Sequence, residues 1–404
     1  MNSANREGIL HLLVLPVWRV NKLVYKNTRD DLKLQDLQQW PPRSQIPKLL
    51  PKLACKFIPF EGSEEVLSRF WLDRVSYNLL HMRFLDEHSQ WKLGEEYQLQ
   101  FLVKKGIWTK VSVRISYINS RKKKIGMRIT ACRGLFKHYI GQLLLENNSN
   151  WSPKQLYKLQ FPVESIKSAI NFSTVTTRQE YESVINLREK AYLNAGKISD
   201  HQDMSDAFDD RSIIIIAKHG SSVVASLRLI ISENDQKFEH EDSLIIPSHL
   251  PRKDDMLEIT RVCTHPDYRA GDLLEGLFQY SAYISFNQNR NWILGSSTKS
   301  LLPIYQRLGF QTTSLVFEHQ DFKGGDKHTL FYANKNDILY GRKVSPLIWS
   351  IIYKDIYDFA ARTGLIKKVL IADRLRVTLY LCFGFFIKKL RKYKLHKSMA
   401  QFNL

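Results

Sequence analysis

The feature that most constrains the fold is a change of hydrophobic period along the chain, with breaker-rich stretches on either side of the first pattern. Prolines interrupt "QQWPPRSQIPKLLPK" at residues 38–52, and Asn, Ser and Pro cluster in "ENNSNWSPK" at residues 146–154. Between them, "YQLQFLV" and "TKVSVRISYI" alternate apolar and polar residues, which is typical of half-buried strands. From about residue 170, strand-like segments alternate with helical spacing, as in "RQEYESVINLREKAYLNAG". The two periods predict two cores, which a chain of 404 residues favours on length alone.

These patterns predict an α+β protein with four segments. Residues 1–51 are predicted to form an N-terminal extension and linker, and residues 52–145 a small antiparallel β-barrel or sandwich. Residues 165–340 are predicted to form an α/β domain with a mixed sheet, including a hairpin at "HGSS". Residues 341–404 are predicted to form a basic, amphipathic helical C-terminal region.

The charge of the chain is strongly positive and indicates an acidic partner. Lys and Arg number 60 against 40 Asp and Glu, a formal net charge of +20, which suits nucleic acid, anionic lipid or an acidic carrier protein. The positive charge is concentrated near "SRKKK" and in the tail rather than interleaved with stacking aromatics. A nucleic-acid partner is therefore not expected.

The cysteines and apolar runs favour a cytoplasmic protein without a resident metal. Cys55, Cys132, Cys263 and Cys382 lie far apart and show neither CxxC nor Cys/His ligand spacing, so no disulfide framework and no metal site is predicted. No apolar run approaches the roughly 20 residues that a spanning helix requires.

The C-terminal run "VTLYLCFGFFI" at residues 377–387 has two interpretations. It lies between Arg374 and Arg376 on one side and "KKLRKYKLHK" on the other, a combination that suits the interface of an anionic leaflet. The alternative is a helix packed on the protein and followed by a solvated basic tail. The first interpretation predicts a peripheral position on the inner face of the cytoplasmic membrane.

The segments "VSYNLLHMRF", "LGEEYQLQFLV" and "IGMRI" resemble a PilZ domain, a bacterial barrel that binds cyclic di-GMP in many members. The family's RxxxR and D/NxSxxG patterns align with "KLACK" and "RVSYNL". The candidate nucleotide-binding residues that follow from this alignment are Lys52, Lys56, Arg74 and Ser76. Lysine cannot form the bidentate contacts of arginine, and Leu79 replaces a glycine. We interpret the domain as a degenerate PilZ-like scaffold, with cyclic di-GMP binding as the alternative.

The order of elements over about residues 170–335, with "THPDYRAGDLLEGL" and "IYQRLGF", resembles the GNAT-type N-acyltransferases. In such enzymes the turn after the fourth strand binds a pyrophosphate through R/QxxGxG/A, using the unpaired N–H groups of a helix start. Here Arg269 and Gly271 match the motif, whereas Leu274 occupies its final position. The departure favours a thioester delivered on acyl carrier protein, whose acidic surface complements this chain, and acyl-CoA is the alternative donor. The predicted acyl-donor-binding residues are Val262, Cys263, Arg269 and Gly271.

A scattered set of charged residues resembles the acyl-homoserine-lactone autoinducer synthases and the N-acyl amino acid synthases, which take long acyl groups from acyl carrier protein. Those families read approximately R, DxFD, RL and ExSR in this order. In this sequence the matching pieces are Arg188, "DAFD", "LRL" and "EITR". The substrate-binding residues that the resemblance implies are Arg188, Asp206, Asp209, Arg228 and Arg261, and the implied catalytic residues are Glu258 and Tyr305.

Acyl transfer to an amine explains why these residue types occur together. An amino acid's amine is mostly protonated at pH 7, so a carboxylate such as Glu258 can act as base directly or through water. Backbone N–H groups near Val262 and Cys263 can stabilise the oxyanion if the strand splays there. The family position of Tyr305 implies that it protonates the leaving thiolate or orders the site.

Each of these assignments has a structural alternative. Glu258 and Arg261 can form a surface ion pair, and the aspartates of "DAFD" can cap a turn. Tyr305 can be a core aromatic. Cys263 is interpreted as a structural residue rather than a nucleophile.

The sequence therefore predicts an N-acyltransferase that moves a long-chain acyl group from a thioester to the amine of an amino acid or similar small molecule. The expected partners are acyl carrier protein, the amine acceptor and an anionic membrane surface, and no permanently bound cofactor is expected. The alternative is a cyclic di-GMP-responsive PilZ regulator or scaffold whose acyltransferase fold is catalytically inert.

Overall fold

The computed structural model contains two compact units, and the first ends at Ile170 while the second continues from Asn171. The residues that the structure describes are 52–58, 66–75, 78–84, 91–104, 107–132, 134–233, 236–269, 271–319, 326–362, 366 and 370–384.

Within its described residues, the first unit has six antiparallel strands and two α-helices. The strands are β1 Lys52–Ile58, β2 Val66–Val75, β3 Leu79–Phe84, β4 Glu96–Lys104, β5 Ile107–Asn119 and β6 Lys124–Cys132. The helices are α1 Gly134–Asn147 and α2 Pro153–Lys158. The strands close into a barrel in the order β1-β2-β3-β6-β5-β4. The kinship of this barrel to PilZ domains stays a prediction.

Side-chain alternation explains the core of the barrel. Tyr97, Leu99 and Phe101 of β4 are all buried, because alternate residues of a strand share one face. Phe136 of α1 packs on Phe101 with ring centroids 4.9 Å apart. The helix therefore adds its apolar side to the core that the strands build.

The predicted nucleotide-binding residues fall at the margin of the described region. Lys52 and Lys56 lie on β1 and Arg74 lies on β2, which pair antiparallel. Ser76 lies outside the described residues, as do the side chains of Lys52, Lys56 and Arg74. Their proposed contact with a nucleotide stays a prediction.

Gly141 of α1 lies where the packing leaves no room for a side chain. A Cβ atom there would lie 2.6 Å from the Pro162 carbonyl oxygen and 2.7 Å from that of Phe161, both of them backbone atoms. We expect Gly141→Ala to destabilise the first unit by about 1–3 kcal/mol in urea denaturation, because the helix must move away. Gly134→Ala is the matched control, since a Cβ there meets no atom within 4 Å. Equal stability of the two variants would contradict this packing.

The second unit is built on a seven-stranded mixed sheet. Its strands are β7 Asn171–Thr174, β8 Ser212–His219, β9 Ser222–Ile231, β10 Met256–Thr264, β11 Trp292–Thr298, β12 Gln311–Glu318 and β13 Lys327–Asn334. Its first helices are α3 Arg178–Asn194, α4 Leu273–Asn287, α5 Leu302–Arg307 and α6 Lys335–Leu339. The strand order is β12-β13-β11-β10-β9-β8-β7, in which only β10 and β11 run parallel. The predicted mixed sheet is confirmed.

Helices cover both faces of the central strands, which explains their long apolar runs. The β8–β9 hairpin turns at "HGSS", where Gly220 has a φ of 60°. On one face, Ile214 and Ile216 of β8 pack with Val184 and Leu187 of α3. On the other face, α4 packs against the sheet, so strands buried on both sides read as nearly continuous hydrophobic segments.

A bulge in β10 and its divergence from β11 shape the centre of the sheet. Thr260 pairs with Arg228 and Cys263 with Ser226, so β10 carries one extra residue against β9. Arg261 takes a φ of 52°, a region that non-glycine residues rarely adopt and that bulges at functional sites use. The parallel pairing with β11 runs from Met256 only to Ile259, although both strands continue. The two strands therefore separate after Ile259, the residue that follows Glu258.

Helical structure follows the sheet to residue 384. The segments are α7 Pro346–Ile348, a π-helical turn Trp349–Tyr353, α8 Lys354–Arg362, and α9, residues 371–384. Trp349 is fully buried, and its Nε1 donates a hydrogen bond to the Leu339 carbonyl at 2.9 Å. Among the helices of the described ranges, none has the length and apolar character to cross a bilayer.

Candidate active site

Three arginines and three carboxylates form a buried cluster on the face of the sheet that α3 covers. We call this cluster the charged network; its members are Arg188, Arg228, Arg261, Asp206, Asp209 and Glu239. Five of the six were predicted from the sequence, and Glu239 was not. Asp206 is the most open member, with a side chain 20% exposed, whereas the others are at most 6% exposed. The network is balanced in formal charge.

Arg188 of α3 and Asp209 form the innermost pair. Their two hydrogen bonds, Nη1 to Oδ2 at 2.8 Å and Nη2 to Oδ1 at 2.9 Å, make a bidentate fork. The Tyr181 hydroxyl donates to the same carboxylate at 2.9 Å. Burial alone would raise the pKa of Asp209, but hydrogen bonds and charge from Arg188 and Arg228 outweigh burial and lower it. Asp209 is therefore a fixed anion rather than a proton carrier.

Arg228 of β9 links the network to β10. Its Nε donates to Thr260 Oγ1 at 2.9 Å, and Nη1 donates to Asp209 Oδ1 at 2.8 Å and also to Asp206. Its Nη2 lies 2.8 Å from Oε2 of Glu239. One guanidinium thus organises three carboxylates and the strand residue next to the bulge.

The bulge places Arg261 on the same face as Thr260. In a regular strand, neighbouring side chains point to opposite faces, so Arg261 would lie on the far side of the sheet. Here its Nη2 donates to Asp206 Oδ2 at 2.9 Å and lies 2.8 Å from Oε1 of Glu239. The unusual backbone of Arg261 is therefore what completes the network.

Glu239, which the sequence analysis missed, is the third carboxylate. It begins a short 3₁₀ turn, Glu239–Asp242, after β9. Burial raises the pKa of Glu239, but the charges of Arg261 and Arg228 outweigh burial and lower it to about 2. The only available sequence signal was the acidic turn "EHED", which resembles any solvated loop.

Glu258 anchors the turn that carries Glu239. Its side chain is completely buried, and its Oε2 and Oε1 accept the backbone N–H groups of Glu239 at 2.7 Å and His240 at 3.0 Å. Nδ1 of His240 also contacts Oε1. Burial, as the main cause, lowers the pKa of His240 to about 3, so this imidazole is neutral. Glu258 faces the protein interior, and its role as general base stays a prediction.

Tyr305 lies in an aromatic cluster away from the charged network's ion pairs. Its ring stacks on Phe331 with centroids 4.4 Å apart and meets Phe278 and Phe310 edge-on, each at 5.9 Å. Burial is the main cause that raises its pKa. These contacts fit the core-aromatic alternative, and the predicted proton donation stays untested.

The predicted donor-binding residues occupy three different settings. Val262 belongs to the β10 bulge. Cys263 is buried with Sγ 3.2 Å from Ser226 Oγ, and burial raises the pKa of its thiol, as expected for a structural residue. Arg269 binds the end of α3 through the Asn194 side chain at 2.8 Å and the Ala191 carbonyl at 3.3 Å. Gly271 directly precedes the N-cap of α4.

A narrow apolar cavity lies on the opposite face of the sheet from the charged network. Ile259, the neighbour of Glu258, lines it together with Phe278 and Ala282 of α4 and Ile293 of β11. Within the described ranges, no group of three or more His, Cys, Asp or Glu side chains is arranged to hold a metal. Because its lining is mostly apolar, the cavity suits an apolar group.

Acid should weaken the charged network through Glu239. A folded-state pKa of about 2, below the ordinary 4.5, means that Glu239 stabilises the fold above pH 4.5 and loses this contribution as the pH falls towards 2. We expect Glu239→Gln to lower the free energy of unfolding at pH 7 by about 3 kcal/mol and to flatten its decline below pH 5. Urea denaturation at several pH values measures this. Glu182→Gln, at an exposed pair with Arg178, should retain the wild-type slope.

The part of the chain that contains the charged network matches a known protein family. Residues 183–324 match the family of the N-acyl amino acid synthase FeeM. The structure of FeeM, an N-acyl amino acid synthase from uncultured soil microbes, aligns over 43% of this chain and 94% of its own, with 8% identity and a TM-score of 0.35. No curated protein matches the sequence.

Two further solved structures align with a similar share of the chain. BjaI, a CoA-dependent acyl-homoserine lactone synthase solved with MTA, has 18% identity over 43% of this chain and 88% of its own, with a TM-score of 0.34. ElaA from Escherichia coli has 16% identity over 41% of this chain and 99% of its own, with a TM-score of 0.32. With the family match over residues 183–324, this chain is an N-acyltransferase.

Proposed function

We propose that the chain transfers a long-chain acyl group from a thioester to the amine of an amino acid or similar small molecule. One observation carries the proposal: the match to N-acyl amino acid synthases spans residues 183–324 and contains the entire charged network together with Glu258 and Tyr305. The reaction joins the amine nitrogen to the acyl carbon, breaks the carbon–sulfur bond, and releases a thiol and one proton.

Asp206 is the residue that meets the acceptor. It is the member of the charged network with the most solvent exposure, and Arg261 lies beside it at 2.9 Å. A zwitterionic amino acid can set its ammonium against Asp206 and its carboxylate towards Arg261, since each charge finds its opposite. The balanced network thereby favours a net-neutral acceptor over a simple cation.

The acceptor's ammonium must lose a proton before it attacks. Glu258 is enclosed, so it can take up a proton only through a relay. The contact of the neutral His240 imidazole with Glu258 through Nδ1 supports His240 as this relay, although His240 is itself buried. In this scheme Glu258 also holds Glu239 in place through the backbone of the turn.

The thioester lies where β10 and β11 separate. The backbone of Val262 in the bulge offers an N–H group to the oxyanion. The apolar side chains beside Ile259 lie on the side towards which the alkyl chain extends. The family position of Tyr305 suggests that it donates a proton to the leaving thiolate, although burial raises the pKa of its hydroxyl and so makes it a weaker acid.

Acyl carrier protein is the donor that the charges favour, with acyl-CoA as the alternative. Asp272 and Glu275 lie at the start of α4, where negative side chains oppose the binding of a pyrophosphate. The net charge of +20 suits an acidic carrier protein. We propose that the protein is cytoplasmic. We also propose that the first unit is a PilZ-like scaffold, which its closed antiparallel barrel supports.

Mass spectrometry of lipid extracts tests the function. Cells that express the wild type should contain a new acylated amine, and Asp206→Asn should reduce it at least roughly hundredfold, because the variant removes the charge that meets the ammonium. Asp254→Asn is the matched control, since its carboxylate is 55% exposed and forms a surface pair with Arg252.

Extracts without any new lipid from a folded, expressed wild type would contradict the proposal. Binding of cyclic di-GMP in isothermal titration, together with unchanged extracts, would instead favour the regulator with an inert transferase fold. The same product in wild type and Asp206→Asn would keep the activity but remove Asp206 from the acceptor site.

A further inference from the structure

Helix α9, residues 371–384, is held to the second unit by one side. Val377 is 2% exposed, and Asp373 is buried and accepts hydrogen bonds from Arg342 and Arg376. The Tyr380 hydroxyl donates to two backbone carbonyls at 3.2 Å each, those of Gly341 and Val344. These contacts fix which side of the helix faces outward.

The outward side of α9 carries a continuous apolar stripe. Its members follow one another at intervals of four residues, which places them on one face of a helix. They are Ile371, Leu375, Leu379 and Phe383, with exposures of 79%, 61%, 67% and 39%. At 1.5 Å per residue the stripe is about 18 Å long. Leu370, which precedes the helix, is also exposed, at 67%.

The charged residues in the sequence that contains and flanks α9 are almost all positive. From residue 363 to residue 404 the sequence contains ten Lys and Arg residues and one acidic residue, Asp373. Asp373 is buried and paired, so it does not offset this charge at the surface. Arg374 lies exposed within the helix, and "KKLRKYKLHK" follows it in the sequence.

This combination distinguishes between the two obvious occupants of an apolar face. A second copy of the chain would bring Arg374 and the basic sequence that flanks α9 towards a like-charged segment, which opposes association. An anionic bilayer accepts both features, because its acyl boundary takes the apolar stripe while its headgroups attract each neighbouring Lys and Arg.

We propose that the apolar stripe of α9 docks the protein on the surface of an anionic membrane, with the helix lying in the interface plane. The docking surface is the side of α9 opposite Val377. It therefore differs from the continuous run 377–387 that the sequence suggested, since that run mixes inward and outward residues. The inference does not depend on the proposed acyl transfer.

Co-sedimentation of the full chain with lipid vesicles tests this surface. The protein should bind vesicles of phosphatidylcholine mixed with phosphatidylglycerol much more strongly than vesicles of phosphatidylcholine alone. Salt should weaken the binding, because the screening length falls from about 10 Å at 0.1 M to about 3 Å at 1 M. The double variant Leu375→Gln/Leu379→Gln should lower the partition coefficient roughly tenfold or more.

The matched control replaces an exposed apolar residue elsewhere. Ile245 is 92% exposed in the loop after β9. The variant Ile245→Gln should bind vesicles as strongly as the wild type does. Circular dichroism verifies that each variant is folded. Equal binding to both vesicle types, or unchanged binding by the double variant, would overturn the proposal. The proposal would also be overturned if the wild type did not bind vesicles but formed a dimer in analytical ultracentrifugation, and if the double variant abolished that dimer.

Discussion

Arg188→Met should lower the free energy of unfolding of the second unit by about 3–5 kcal/mol, because it leaves a buried carboxylate without its bidentate partner. Arg188 is completely buried, and Asp209 receives two of its hydrogen bonds. Arg188 Nη1 also donates to the Met204 carbonyl at 3.2 Å, which ties α3 to the segment before β8. Methionine fills a similar volume, so the loss is chiefly electrostatic.

Arg178→Met supplies the comparison on the same helix. Its guanidinium is 92% exposed and pairs with Glu182 at 3.0 Å, so its removal should change the stability by less than about 0.5 kcal/mol. Hydrogen exchange in β8 measures the opening of the second unit separately from the first. Similar protection of β8 in both variants would show that the buried pair does not stabilise the fold.

The sequence could predict the sheet of the second unit because its signals are local. Isoleucine-rich β8, the Gly220 turn and the helical spacing of α3 each express a preference within a few residues of the chain. The order of the charged pieces then indicated which elements meet. Five members of the charged network could be predicted in this way.

The bulge in β10 could not be predicted, because "EITR" reads as an ordinary strand. In an ordinary strand Thr260 and Arg261 lie on opposite faces, whereas the positive φ of Arg261 brings both to one face. A surface ion pair between Glu258 and Arg261 is excluded, because both side chains are buried. Such a conformation is set by tertiary contacts, here those with Asp206 and Glu239.

Glu239 and His240 were missed for a related reason. A carboxylate in an acidic turn is solvated in most proteins, and nothing local shows that Glu258 will bind the backbone of this turn. In each case the deciding partner lies about 20 residues away in the sequence.

Glu258→Gln should lower kcat/KM for acyl transfer at least roughly hundredfold, which corresponds to about 2.7 kcal/mol of transition-state stabilisation. The two oxygens of Glu258 accept the N–H groups of Glu239 and His240, and one oxygen also contacts the His240 ring. A glutamine replaces one acceptor by an NH₂ donor that faces another donor, and it cannot accept a relayed proton. The first loss disturbs the turn that carries Glu239, and the second prevents deprotonation of the acceptor amine.

Glu241→Gln separates these two losses. Glu241 belongs to the same turn and accepts the backbone N–H of Phe238 at 2.7 Å, but it pairs with Lys253 and lies outside the charged network. If Glu258 only anchors the turn, the two variants should lose similar activity. If it also takes up the proton, Glu258→Gln should show a much lower kcat than Glu241→Gln. Full activity of a folded Glu258→Gln would remove this carboxylate from the mechanism, since neither the relay nor the anchored turn would then be needed.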